Sequence, residues 1–102
     1  DHRHCSNLVL NAWLALGRRQ PLFYHEVMTG SQTQVFRPTD YVDITTTVAR
    51  KHEACFAHVS QRIRENYEND HGPMERFRGH EARCRVAEAF IRHAQGPDAV
   101  LI

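Results

Sequence analysis

Strand-forming sequence is scarce in this chain, and that scarcity restricts what the chain can fold into. Of its 102 residues, only the segments 21–28 and 41–44 are predicted to be extended, because β-branched and aromatic residues lie there between turn signals. The first segment starts with an almost continuous apolar run, which is typical of a strand buried on both faces. Two strands are too few for a stable sheet. We therefore expect further strands to precede Asp1.

Three amphipathic helices are predicted around these strands. The first spans 2–16, the second spans 46–64 with Thr45 as its N-cap, and the third spans 74–94 after Pro73, a residue favoured at a first helical position. The apolar face of the first helix consists of Leu8, Val9, Ala12, Trp13 and Leu16. The apolar face of the third consists of Phe77, Cys84, Ala87, Phe90, Ile91 and Ala94.

The connections between these elements are short. Loops are predicted at 29–32 and at 66–72, where polar residues and glycine or Gly-Pro occur. The apolar tail, 98–102, is either a final strand or the end of a fragment. The order helix, strand, short strand, helix, helix is typical of an α/β domain in which helices cover a mostly parallel sheet.

Composition disfavours several classes of function. The net charge is +1, and the twelve arginines and one lysine are scattered, so the chain has no field that would recruit nucleic acid. No apolar run approaches the roughly 18 residues that cross a bilayer, and the start shows no secretory leader pattern. Three cysteines without a CxxC pair are typical of a reducing compartment. The sequence therefore predicts a cytoplasmic protein that binds no nucleic acid and does not span a membrane.

The first two residues are the strongest candidates for chemistry. A neutral imidazole such as that of His2 is a good zinc ligand, and a neighbouring carboxylate such as that of Asp1 orients catalytic groups or tunes the metal. The alternative is an Asp-His pair on the surface of a frayed helix end. His4 and Cys5 are not expected to join His2 on one ion, because these neighbours point to different sides of a helix.

The other polar residues have structural interpretations. Asp43 ends a predicted strand, where its carboxylate caps the following helix with Thr45; a sugar or metal contact is the alternative. Lys51 and His58 are two helical turns apart and are expected to share a face. Arginines interleaved with glutamates in the last helix predict an ion-paired, exposed face. The Arg-Gly pair that ends at Gly79 is the exception, because glycine inside a helix often marks close packing.

Segments distributed along the chain resemble the PIG-L/LmbE family of zinc-dependent N-deacetylases. The start is similar to the end of the family's His-Pro-Asp-His-Arg motif, and the later segments are similar to its following strand, its VDI(S/T)…K…HxSQ pattern and its RG…AEAF ending. The residues that carry the resemblance are Asp1-His2-Arg3, Phe23 to Val27, Tyr41 to Thr45 with Lys51 and His58 to Gln61, and Arg78-Gly79 with Ala87 to Phe90.

This resemblance implies a fold and an activity. Residues 1–102 would be the C-terminal portion of one Rossmann-like, three-layer domain, with helices on a mostly parallel sheet. The enzyme would use zinc to remove an N-acetyl group from an N-acetylglucosamine-type glycoside or glycolipid. By resemblance, His2 is a zinc ligand. Asp1 is a catalytic-site residue that supports the catalytic histidine two positions before it.

The same resemblance identifies what residues 1–102 lack. That histidine, and the His-Pro-Asp-Asp motif that supplies two zinc ligands and the general base, do not occur in this sequence. We therefore expect the isolated chain to have little or no activity. The alternative interpretation is a carbohydrate-binding or interaction module that has kept the family's scaffold and lost its metal centre.

Overall fold

The computed structural model describes residues 1–27 and 33–101 of the chain. Over these ranges the chain forms four α-helices, one 3₁₀ turn and three β-strands. In chain order they are α1 (His2–Ala15), β1 (Phe23–His25), β2 (Asp40–Asp43), α2 (Val48–Phe56), the 3₁₀ turn (Val59–Gln61), α3 (Ile63–Asn66), α4 (His71–Ala82) and β3 (Ala87–Arg92). The described residues thus form both helices and a sheet in one small unit. This agrees with the predicted α/β class in its broad sense of mixed helix and strand.

The three described strands form an antiparallel sheet in the order β1-β3-β2. The central strand is β3, in which Phe90 lies opposite His25 of β1 on one side and opposite Asp40 of β2 on the other. Because β3 is antiparallel to both neighbours, β1 and β2 run in the same direction but do not pair with each other. The mostly parallel, Rossmann-like sheet that we expected is therefore not found in the described residues.

The third predicted helix, 74–94, is too long, and this is the largest error of the sequence analysis. The helix α4 ends where Arg83 adopts a left-handed conformation with a φ of 59°. The Cys84 N–H then donates a hydrogen bond to the Gly79 carbonyl at 2.9 Å, which closes the reversal. The chain returns along the sheet as β3 instead of continuing as a helix.

The residues of β3 satisfied the helical pattern as well as the strand pattern. Ala87 and Ala89 are buried, whereas Glu88 between them is partly exposed, which is the alternation of a strand. Alanine and glutamate favour helices. Pairing on both sides of β3 outweighs that preference, because strand stability depends mainly on cross-strand neighbours and burial.

The second predicted helix, 46–64, is interrupted. Its first part, α2, ends at Phe56, and Arg62 has a left-handed φ of 51° between the 3₁₀ turn and α3. This break reverses the chain so that Tyr67 packs edge-on against Phe56, with ring centroids 5.4 Å apart. Apolar periodicity gave no sign of the break, because the spacing of apolar residues continues through it.

The remaining boundaries differ from the predictions by a turn or less. The helix α1 confirms the first predicted helix to within one residue. The strand β1 is shorter than the predicted strand 21–28, whose last residue lies, with the predicted loop 29–32, outside the described residues. The helix α4 begins at His71, about a turn earlier than predicted, and α2 follows Thr47 rather than Thr45.

The hydrophobic core lies where α2 meets the sheet. Ile44, Val48 and Val86 are buried together, and Val42 packs against them from β2. The backbone extends the sheet in the same place, since the Ile44 N–H donates to the Val86 carbonyl at 3.1 Å. This small core holds the start of α2 against the sheet.

The helix α1 is attached to the rest of the structure mainly through Trp13. Its indole N–H donates to the Gln20 carbonyl at 2.6 Å, and its ring lies 4.6 Å from that of His93. The rest of the predicted apolar face is not buried, and Leu8 and Leu16 are 69% and 71% exposed. Although α1 is apolar, no helix in the described ranges is long and apolar enough to cross a membrane.

The close-packing role predicted for Gly79 is confirmed and can be tested. A Cβ at Gly79 would lie 2.6 Å from the Arg85 carbonyl oxygen, inside van der Waals contact with backbone that cannot easily move. We expect Gly79→Ala to lower the free energy of unfolding by about 2 kcal/mol in urea titrations. The control is Gly72→Ala in the same helix, whose Cβ would meet only the flexible ends of Glu68 and Arg76. An equal effect of both substitutions would contradict this account.

Candidate functional site

Asp1 and His2, the predicted site residues, lie together at the start of α1. Asp1 is the N-cap residue, and its carbonyl oxygen accepts a hydrogen bond from the Cys5 N–H at 2.9 Å. Its side chain makes no capping hydrogen bond. Both side chains are exposed. Their carboxylate and imidazole are therefore accessible to a ligand or to another part of a larger domain.

The residues at this position do not make a zinc site by themselves. A hydrolytic zinc ion has about three protein ligands and one open position for water. Within residues 1–27 and 33–101, no group of three or more His, Cys, Asp or Glu side chains is placed to share a metal ion. His4 and Cys5 are also exposed, but they do not complete such a group with His2. The start of α1 thus offers part of a donor set only.

A second concentration of polar chemistry surrounds Glu75 on α4. Its side chain is only 5% exposed, yet it carries a carboxylate. That carboxylate accepts a hydrogen bond from the Tyr67 hydroxyl at 2.7 Å and lies 3.1 Å from Nε2 of His52. The Lys51 ammonium donates to it at 3.3 Å. We call Glu75, Tyr67, His52 and Lys51 the Glu75 cluster.

The surroundings of Glu75 favour its ionised form. Burial alone would raise the pKa of this carboxyl, but the hydrogen bonds from Tyr67 and His52 and the charge of Lys51 outweigh it and lower the pKa. Burial, and then the hydrogen bond to Glu75, raise the pKa of Tyr67, so its hydroxyl is a donor throughout the physiological range. The centre of the cluster is therefore a buried carboxylate that accepts hydrogen bonds from the side chains around it.

Lys51 extends the Glu75 cluster to the central strand. Its ammonium nitrogen lies 3.1 Å from Oε1 of Glu88 on β3 as well as 3.3 Å from Oε2 of Glu75. One cation is thus shared by two carboxylates on different elements. The Lys51 side chain is 25% exposed, so it is partly buried between these two carboxylates.

Arg78 connects α4 to the residue that follows β1. Its Nε and Nη2 donate to the two carboxylate oxygens of Glu26, each at 2.9 Å, in the bidentate geometry that suits guanidinium. Its Nη1 donates to Glu81 at 2.7 Å, and the Tyr41 hydroxyl donates to the same carboxylate at 3.1 Å. The guanidinium is 8% exposed. Arg78, which the sequence set apart with Gly79 from the exposed arginines of this region, is therefore ion-paired but buried.

Other predicted contacts are confirmed or corrected in detail. The Asp43 carboxylate accepts a hydrogen bond from the Thr45 N–H at 2.9 Å, so its expected role at the start of a helix is realised as a turn just before α2. Hydrogen bonds from Thr45 lower the pKa of Asp43. The shared face of Lys51 and His58 is wrong, because α2 ends at Phe56 and His58 is exposed beyond it.

Sequence reasoning missed the importance of Glu75, Tyr67 and Glu26. Glu75 was grouped with the exposed glutamates of the last helix because its spacing from nearby arginines is typical of surface ion pairs. One usable signal lies on α4, where Gly72, Glu75 and Gly79 are three and four residues apart and so share a face. Both glycines are buried on the same face as the glutamate, and Gly79 packs against backbone, so this face is a signal that Glu75 lies inside.

No protein-family model, curated protein or solved structure matches this chain. The resemblance of its motifs to the PIG-L/LmbE family is therefore a hypothesis about its function. The structure does place three of those motif residues near one another. Lys51, Arg78 and Glu88 come from separate motifs and line the same cavity between α2, α4 and the sheet.

Replacing the buried carboxylate tests the Glu75 cluster. Glu75→Gln keeps the shape of the side chain but removes one of the two negative charges that neutralise the Lys51 ammonium. We therefore expect a loss of about 2 kcal/mol in the free energy of unfolding. The matched control is Glu68→Gln, since Glu68 pairs with Arg76 at 3.2 Å on the exposed surface. That change is expected to cost at most about 0.5 kcal/mol in the same urea titration. Equal losses of unfolding free energy in the two variants would show that the Glu75 cluster stabilises the fold no more than a surface ion pair does.

The same variant yields a pH prediction. Because the folded protein lowers the pKa of Glu75 from its usual 4.5, the ionised carboxylate stabilises the fold above that pH. The stabilisation is lost as the pH falls through the lower, folded value. The difference in unfolding free energy between the wild type and Glu75→Gln should therefore shrink as the pH is lowered from neutrality into that range. The contribution of Asp43 to the pH dependence is the same in both proteins and cancels in their difference. A difference in unfolding free energy that stays constant with pH would refute the stabilising role of the ionised Glu75 carboxylate.

Proposed function

We propose that this chain is the C-terminal portion of a PIG-L/LmbE-like, zinc-dependent N-deacetylase. The substrate class is an N-acetylglucosamine-type glycoside or glycolipid, from which the enzyme removes the acetyl group by hydrolysis of the amide. The observation that carries the proposal is the ordered series of motif-like segments that runs from Asp1 to Phe90. Each segment is short, but their order and spacing cover nearly the whole chain.

The position of Asp1 and His2 supports this assignment. They lie at the N-terminal end of a helix with exposed side chains, where a preceding segment can approach them. In the proposed enzyme, His2 is one zinc ligand and Asp1 orients the catalytic histidine two positions before it. In this proposal the other ligands and the general base belong to the His-Pro-Asp-Asp and His-x-Asp-His motifs of the family, and the described residues contain no group that could hold the ion alone.

The convergence of motif residues also supports the proposal. Lys51 of the VDI…K segment lies 3.1 Å from Glu88 of the AEAF segment. Arg78 of the RG segment contacts Glu26 of the segment around β1, and Gly79 allows the backbone before β3 to approach α4. These two pairs hold the helices to the sheet.

The exposed side of α1 is consistent with a larger domain. Leu8 on α1 and Leu16 directly after it belong to the predicted apolar face but are mostly exposed, whereas the apolar face of such a helix is normally buried. In our proposal, the preceding part of the domain covers α1 and contributes the mostly parallel, Rossmann-like sheet. The antiparallel strands β1, β3 and β2 would then be an addition to that sheet.

The decisive experiment expresses the complete product of the reading frame and measures acetate release from N-acetylglucosaminides with zinc present. We expect activity in the complete product and little or none in the chain of 102 residues. His2→Ala in the complete product is expected to lower kcat/KM by at least about 100-fold and to lower the zinc content, since it removes a ligand.

The control for this experiment is His4→Ala. His4 is an exposed histidine on the same helical turn and has no assigned role, so its replacement should leave activity and zinc content unchanged. If the His2 and His4 variants behave alike, His2 is not a ligand. If the complete product binds N-acetylglucosaminides but never releases acetate, the non-catalytic carbohydrate-binding module becomes the better interpretation.

A further inference from the structure

A cavity of about 280 Å³ lies between α2, α4 and the sheet, away from the exposed pair at the start of α1. Residues 87–90 of β3 line it on the side of the sheet. Met74 and Phe90 supply apolar walls. Ligand pockets combine such walls with a few convergent polar groups, and this volume is just below the range for drug-sized ligands. The cavity therefore suits a ligand of one ring.

The charges that line this cavity do not balance. Among the described lining residues, the formal cations are Lys51 and Arg78, and the carboxylates are Glu26, Glu75 and Glu88, so two cations face three carboxylates. Arg78 is occupied by its bidentate pair with Glu26. The single ammonium of Lys51 is therefore shared by Glu75 and Glu88. One negative charge is left over on this side of the cavity.

The surplus charge is most accessible at Glu88. Its side chain is 41% exposed, whereas that of Glu75 is 5% exposed and already receives hydrogen bonds from three side chains, counting His52. A carboxylate that is partly solvated, next to an apolar wall, attracts a ligand cation more than an anion. Phosphate or carboxylate ligands are disfavoured here for the same reason.

We propose that this cavity binds a small hydroxylated primary amine of the amino-sugar class. The ligand ammonium pairs with Glu88, and the sugar ring lies against Phe90. Hydroxyl groups, which both donate and accept hydrogen bonds, match the Lys51 ammonium and the imidazoles of His25 and His71 that line the cavity. A simple alkylamine would satisfy the carboxylate but not these groups.

The biological meaning of this ligand rests on the proposed function, because an amino sugar is what removal of an N-acetyl group produces. The binding itself does not depend on zinc or on catalysis. Its test therefore gives a result of its own. Failure to bind leaves the deacetylase proposal standing, and failure of acetate release leaves this cavity proposal standing.

The experiment titrates the ¹⁵N-labelled chain of 102 residues with glucosamine and records amide shifts by NMR. We expect saturable shifts centred on Glu88 and Ala89, with a roughly millimolar dissociation constant, as suits so small a ligand. Glucose and N-acetylglucosamine have no ammonium, and methylamine has no hydroxyl groups. Each of the three is expected to bind about tenfold more weakly than glucosamine.

Two variants test separately the charge of Glu88 and the apolar lining of the cavity. Glu88→Gln removes the charge and is expected to reduce glucosamine affinity about tenfold, to the level of glucose. Phe90→Leu keeps the charge, removes the aromatic ring against which the sugar is proposed to lie and is expected to weaken the binding of glucosamine severalfold. Glu68→Gln is the surface control and should bind like the wild type, and the amide spectrum verifies that each variant is folded.

Two results would overturn the proposal. One is equal binding of glucose and glucosamine by the wild type, which needs no variant to interpret. The other is unchanged glucosamine affinity in a folded Glu88→Gln protein.

Discussion

The buried carboxylate of Glu75 joins more parts of this structure than any other single group described above. It receives hydrogen bonds from Tyr67 before α4 and from His52 and Lys51 on α2. Lys51 then connects the same cluster to Glu88 in the central strand. A charge at this depth is costly unless it is paired and hydrogen-bonded, so the position of each partner is constrained by the others. The hydrophobic core is small, and polar contacts hold much of the remaining geometry.

The central strand depends on a second constraint, the close approach at Gly79. The backbone of residues 84–85 passes so near to α4 that only a glycine fits. Arg83 takes a left-handed conformation at the same reversal. Once the chain has reversed there, β3 pairs with both neighbouring strands, and its residues 87–90 line the cavity between sheet and helices. The features that form the strand thus also form the proposed ligand site.

The two proposals concern separate parts of the molecule: the Asp1–His2 pair at the start of α1, and the cavity between α2, α4 and the sheet. Asp1 and His2 are exposed at the start of α1, where further residues can complete a metal centre. The cavity lined by Lys51 and Glu88 is built entirely from described residues. The first proposal depends on metal ligands outside the described residues, whereas the lining of the proposed cavity lies wholly within them.

Local sequence by itself determined α1, the approximate positions of β1 and β2, and the packing role of Gly79. Those features depend on nearby residues: a helical apolar stripe, strand-forming runs between turns, and a glycine within a helix. Only the tertiary structure decided that Ala87–Arg92 is a strand and that Glu75 is buried. Both outcomes depend on partners distant in sequence, since β3 acquires its pairing from β1 and β2 and Glu75 acquires donors from α2. Periodicity and charge spacing carry no information about such partners, and so the antiparallel sheet and the polar cavity emerged only from the fold.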